Sequence, residues 1–107
     1  MARYSEIEVR LAMSVAARLC KAKRMNYDFT SYSLKHWVEF QLGLHKVLGV
    51  DYISNASMIE AMRRLGFASK TFKEHPRYKF FNVTKGSVNQ LCKANRERWA
   101  EPLADLD

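Results

Sequence analysis

Apolar residues recur at helical spacing in four stretches of the chain. In the first, Ile7, Leu11, Val15 and Leu19 repeat every four residues beside Ala12, Ala16 and Cys20, which predicts one buried helical face. Ser5 stands at the capping position, Glu6 and Glu8 in the first turn, and Lys21, Lys23 and Arg24 at the end. The helix dipole favours each of these placements, so the pattern predicts a helix from Ser5 to Lys23. The connection that follows, from Asn26 to Tyr32, carries three aromatics. A second stripe, Leu34, Trp37, Val38, Leu44, Val47 and Leu48, predicts a helix from Ser31 or Ser33 to Leu48, with Gly49 as its left-handed stop. Gly43 falls inside that span at a cost of up to about 1 kcal/mol relative to Ala, so close packing of another element is expected there. The third stretch, Ser57-Met-Ile-Glu60, matches a capping box, and Leu65-Gly66-Phe67 matches a helix stop. Ile59, Met62 and Leu65 face inward in this reading and Arg63 and Arg64 outward. The fourth stripe, Val88, Leu91, Cys92, Asn95 and Trp99, predicts a helix that begins between Thr84 and Ser87 and ends near Ala100, because Pro102 opposes continuation.

Between the last two helices the period changes. Tyr78 to Val83 is aromatic and β-branched, a strand composition, and His75-Pro76 is a turn signal. Ser69 to His75 reads either as a partner strand or as a short helix. The strand is favoured, because so short a run before a proline makes a poor recognition helix. The order from about residue 53 to 98 is then helix, Gly turn, strand, basic turn, strand, helix, which resembles winged-helix domains. That resemblance implies a wing carrying Lys73, His75, Arg77 and Lys79. With the helical alternative, the same stretch would form a helix-turn-helix. The expected fold is mainly α with a small β-hairpin and about four helices, winged-helix or helix-turn-helix-like. It forms a single domain over residues 1–107, with 1–52 as helical support, 53–100 as the basic part and 101–107 as an acidic tail.

Charge sharpens this picture. The 107 residues carry 18 Lys and Arg against 11 Asp and Glu, a formal net charge of +7, which favours a polyanionic partner. The excess is uneven. Residues 63–98 hold ten basic side chains and only two acids, Glu74 and Glu97. With 48% hydrophobic residues the chain is rich enough for a core, and no apolar run approaches the roughly 20 residues of a membrane span. Its start shows charges where a secretory signal has an apolar stretch, so a cytoplasmic protein with reduced thiols is expected, and Cys20 and Cys92 read as small buried hydrophobes.

Motifs for chemistry are sparse. His36, His45 and His75 do not cluster with the cysteines at metal-ligand spacing, and neither a phosphate loop nor a dinucleotide fingerprint occurs. No catalytic residue, metal or cofactor is therefore assigned, and the chain is not expected to be an enzyme. The residues expected to contact nucleic acid are Arg63, Arg64, Lys70, Lys73, Arg77, Lys79, Lys85, Asn89, Lys93 and Arg96. Their cations release counterions from phosphates, and Asn89 adds a neutral donor. The expected function is a small basic nucleic-acid-binding protein, with DNA favoured over RNA. It would act as a regulator or as a replication or packaging accessory, in a style that suits a phage or mobile element. The alternative is a small effector or inhibitor that docks its basic surface on an acidic protein. No membrane partner is expected, and a homodimer stays open.

Overall fold

A computed structural model describes residues 4–43 and 53–104 of the chain, with side chains as far as residue 96. Its elements are α1 (Glu6–Ala16), β1 (Lys21–Thr30), α2 (Ser31–Leu42), α3 (Asn55–Arg64), β2 (Ser69–Thr71), β3 (Lys79–Val83) and α4 (Lys85–Ala104). The four expected helices and the β2–β3 hairpin are present. The sheet, however, has a third strand and runs β1-β3-β2, antiparallel throughout.

That third strand corrects the first expected helix, which ends at Ala16 and not at Lys23. The amides of Arg18 and Leu19 bond the carbonyls of Val15 and Ala16, a tight last turn that swings Leu19 into the core. The chain then enters β1. Lys-Ala-Lys-Arg-Met is built of good helix formers, but the inner edge of β3 must be paired, and that long-range demand prevails over local propensity. The strand is irregular. Lys21 faces Val83, Asn26 faces Phe81 and Thr30 faces Phe80, so β1 advances five and then four residues while β3 advances two and then one. Side-chain amides fill gaps left by these bulges. Asn26 Nδ2 donates to the Val83 carbonyl at 3.0 Å, and Asn82 Nδ2 donates to the Ala22 carbonyl at 3.1 Å. Asn82 Oδ1 also accepts the Ala68 amide at 2.7 Å, so one side chain reaches β1 on one side and the residue before β2 on the other.

The apolar stripe of α1 is rotated from the expected one. Val9, Ala12, Val15 and Ala16 are buried, whereas Ile7 is 65% exposed and Cys20 lies exposed beyond the helix. Helix α2 is capped by Thr30 and stops at Leu42. Gly43 adopts φ 67°, ψ 35° as its left-handed end, so it is the helix stop and not an interior packing glycine. Gly49, expected in that role, lies outside the described residues, as do Leu44, Val47 and Leu48.

Helix α3 is capped by Ser54 and not Ser57. Ser54 Oγ accepts the Ser57 amide at 3.1 Å, which puts Ser57 in the first turn. Its other end is as expected. Gly66 has φ 87°, the Phe67 amide bonds the Met62 carbonyl at 3.1 Å and the Gly66 amide bonds the Arg63 carbonyl at 3.0 Å. These are the two bonds of a Schellman stop, and Phe67 packs back into the core. Helix α4 begins after Thr84, whose Oγ1 accepts the Ser87 amide at 3.2 Å, and continues through Pro102 to Ala104. Proline removes one amide from the ladder near the end without stopping the helix, against expectation.

The helices close over the inner face of the sheet. Val9, Leu34, Val38, Ile53, Met58, Met62, Phe81, Val83 and Val88 are all at most 1% exposed and form one cluster. Helix α1 packs on α2 and α3, and α2 packs on α4. A polar knot joins the starts of α1 and α3. Glu8 Oε1 accepts the Ser54 amide at 2.8 Å and the Ser57 hydroxyl at 2.9 Å, while Ser57 Oγ accepts the Ser5 amide at 3.0 Å. In an ordinary capping box the third helical side chain reaches back to its own cap amide. Here each helix supplies that acceptor to the other.

Candidate nucleic-acid interface

The loop between β2 and β3 is short and internally bonded. The Phe72 amide donates to the Tyr78 carbonyl at 3.1 Å, the His75 amide to Phe72 at 3.0 Å and the Tyr78 amide to His75 at 2.9 Å. Pro76, which brings no amide, sits at the tip. A buried hub holds the hairpin against the helices. Ser31 Oγ accepts the Lys79 amide at 3.2 Å and donates to Asn55 Oδ1 at 2.6 Å, while Asn55 Nδ2 donates to the Arg77 carbonyl at 2.5 Å. Ser31 is fully buried, so the first residues of α2 and α3 fix where the hairpin projects.

The ten residues expected at the interface fall into three groups. Lys70, Lys73, Arg77 and Lys79 belong to the hairpin. Lys73 and Arg77 are exposed at its tip, Lys70 Nζ bonds the Tyr27 hydroxyl at 3.3 Å, and Lys79 Nζ bonds Thr71 Oγ1 at 3.2 Å. None of these four pairs with a carboxylate among the described residues. Lys85, Asn89, Lys93 and Arg96 are exposed on α4, which starts at the other end of β3. Five strand residues at about 3.3 Å each separate the two groups by roughly 15 Å. The third group, Arg63 and Arg64, is already engaged by carboxylates.

Arg64 reaches Glu6 Oε2 at 2.6 Å and Glu60 Oε2 at 2.8 Å and lies 5.4 Å from the centre of the Tyr4 ring. Arg63 Nη2 holds the same Glu60 oxygen at 2.6 Å. The guanidinium of Arg64, with Arg10, lowers the Glu6 carboxyl to about 2, and those of Arg63 and Arg64 do the same for Glu60. The outer end of α3 is thus a closed ionic cluster.

Sequence reasoning overlooked several groups here. Lys21, Lys23 and Arg24, expected at a helix end, are exposed on β1, Lys21 with its ammonium 5.5 Å from the centre of the Phe67 ring. The aromatic connection supplies Tyr27 and Tyr32, which are 56% and 44% exposed. Their rings join the hairpin in one continuous row. Tyr27, Phe80, Phe72, His75, Tyr78 and Tyr32 follow one another with successive centroids 5.0 to 5.8 Å apart. Phe80 is the buried member, on the sheet face opposite Phe81 and Val83. The alternation of Tyr78 to Val83 held the signal for two aromatic faces, but not for the partners that reach it from β1 and α2.

A separate groove of about 360 Å³ between α2 and α4 is lined by Trp37, Phe40, Cys92, Asn95 and Arg96. Among the described residues no three His, Cys, Asp or Glu side chains gather as a metal site, and no helix is long and apolar enough to cross a membrane. Comparison with protein-family models, curated proteins and solved structures finds no match.

Proposed function

We propose that this protein binds nucleic acid, DNA in preference to RNA, by laying the β2–β3 hairpin along the phosphate backbone. In this reading the domain is winged-helix-like. Helix α3, its Gly66 stop, the hairpin and α4 occur in the order of such a domain, and β1 joins the sheet from the other side of β3. The observation that carries the proposal is the hairpin's charge. Four cations project from one short, pinned element that holds a single acid, Glu74, and none of the four is neutralised by a carboxylate among the described residues. A rigid basic loop loses little conformational freedom on meeting phosphates and releases their condensed counterions.

The test is fluorescence anisotropy with labelled duplex, single strand and RNA across a salt series. Four phosphate contacts give a slope of log affinity against log salt of about −3.6 on duplex. Replacing Lys73, Arg77 and Lys79 together by Glu removes binding and leaves the circular dichroism spectrum unchanged. A folded wild-type protein that binds none of the three at about 50 mM salt refutes the proposal. A single stoichiometric acidic protein recovered in its place supports the effector reading.

A further inference from the structure

We infer that the nucleic acid held by the hairpin presents unpaired bases, which stack on the exposed rings of Tyr27, His75 and Tyr32. This rests on the proposed function and names its substrate class. The first observation is the aromatic row itself. A core needs its rings covered, yet the row is buried only at Phe80, and its ends, Tyr27 and Tyr32, stay 56% and 44% exposed. His75 lies nearly parallel to Phe72, at 12° and 5.5 Å between centroids, and is itself exposed, so the stack has an outer member open to continuation. The second observation is charge. Lys70 stands 5.5 Å from the Tyr27 ring centre, and Lys73 and Arg77 flank His75 along the chain. The acids on these segments are Asp28 and Glu74, so cations outnumber them beside the rings. Aromatic rings set among cations suit a single strand, whose bases offer open faces and whose phosphates run alongside.

The third observation concerns α3, the element that would enter a major groove. Base reading there needs free amides or guanidiniums. The Asn55 amide is spent on Ser31 and the Arg77 carbonyl, and Glu60, its side chain largely covered, holds both Arg63 and Arg64. A duplex hides its base faces and gains nothing from the exposed rings. A single strand gains from rings and cations together.

The experiment compares a fluorescein-labelled oligothymidylate with a blunt duplex of equal phosphate number, at one salt concentration, on wild type and three variants. The single strand is expected to bind the wild type at least about tenfold more tightly. Tyr27→Ala and Tyr32→Ala each weaken it about tenfold, Tyr32→Ala without changing the duplex affinity, and Tyr27→Phe keeps most of the single-strand affinity. Equal or tighter duplex binding by the wild type overturns the inference and leaves the phosphate-binding hairpin standing, as does unchanged single-strand affinity in both alanine variants. Absence of binding to both probes overturns the inference, and absence of binding to RNA as well overturns both readings. The wild-type preference needs no variant, so an alanine variant that fails to fold does not rescue the idea.

Discussion

Glu8 offers the sharpest test of how the helices are joined. Its Oε1 is the acceptor for both the Ser54 amide and the Ser57 hydroxyl, and Ser57 is fully buried. Glu8→Ala leaves the Ser54 amide without its acceptor in a part-buried site, while the Ser57 hydroxyl keeps Ser54 Oγ at 2.8 Å. Such an orphan costs about 1–3 kcal/mol, against about 1 kcal/mol or less for losing an acid beside the helix dipole. The expected loss is about 2 kcal/mol, a sizeable share of the roughly 5–15 kcal/mol that stabilises a domain. In urea unfolding, with a slope of about 1–3 kcal/mol/M, the midpoint falls by roughly 0.7–2 M while the slope is unchanged. Glu8→Gln retains an oxygen acceptor and costs about 1 kcal/mol. A double-mutant cycle with Ser57→Ala gives a coupling of about 1 kcal/mol or more. The reasoning fails if Glu8→Ala lies within about 0.5 kcal/mol of wild type, the scatter of ordinary surface changes, or if Gln is as damaging as Ala.

Four further outcomes are expected. Gly66→Ala places a Cβ at φ 87° and 3.1 Å from Lys21 Nζ, so thermal unfolding shows a loss of about 1–2 kcal/mol, while Gly86→Ala, where a Cβ meets nothing within 4 Å, does not. Asn82→Ala removes the bonds to Ala22 and Ala68, and hydrogen exchange at Ala68 and along β1 accelerates before that of α1. The Glu6 and Glu60 carboxyls titrate near 2, below the ordinary 4.5, so their contribution is complete above about 4.5 and is lost as pH falls toward 2. Arg64→Met moves the Glu6 and Glu60 midpoints upward in an NMR titration and flattens the acid loss. Cys20 is exposed, whereas burial pushes the Cys92 thiol up, so a thiol reagent near neutral pH labels Cys20 first and Cys92 more slowly.

Local chemistry was legible where the chain decides locally. Gly66 between Leu65 and Phe67 announced a stop, and the stop is there. The alternation of Tyr78 to Val83 and the turn at Pro76 announced a hairpin, and it formed. Decisions made across long stretches of chain were hidden. Residues 21–25 have helical composition and become strand because the edge of β3 away from β2 needs a partner. Ser54 and Ser57 are equally good caps, and the choice is settled by Glu8 and Ser5, some fifty residues away. Pairing of Arg63 and Arg64 with Glu60 follows from spacing alone, but Glu6 comes from another helix. The basic residues of the hairpin were readable as a group, whereas Tyr27 and Tyr32 meet it only after folding.

The sheet ends on two unpromising rails. One is β2, three residues long; the other is β1, whose bulges break the ladder into isolated contacts. Among the described residues neither edge offers a neighbouring chain a long regular run for strand addition. Such edges disfavour strand-to-strand association even where copies crowd at high local concentration.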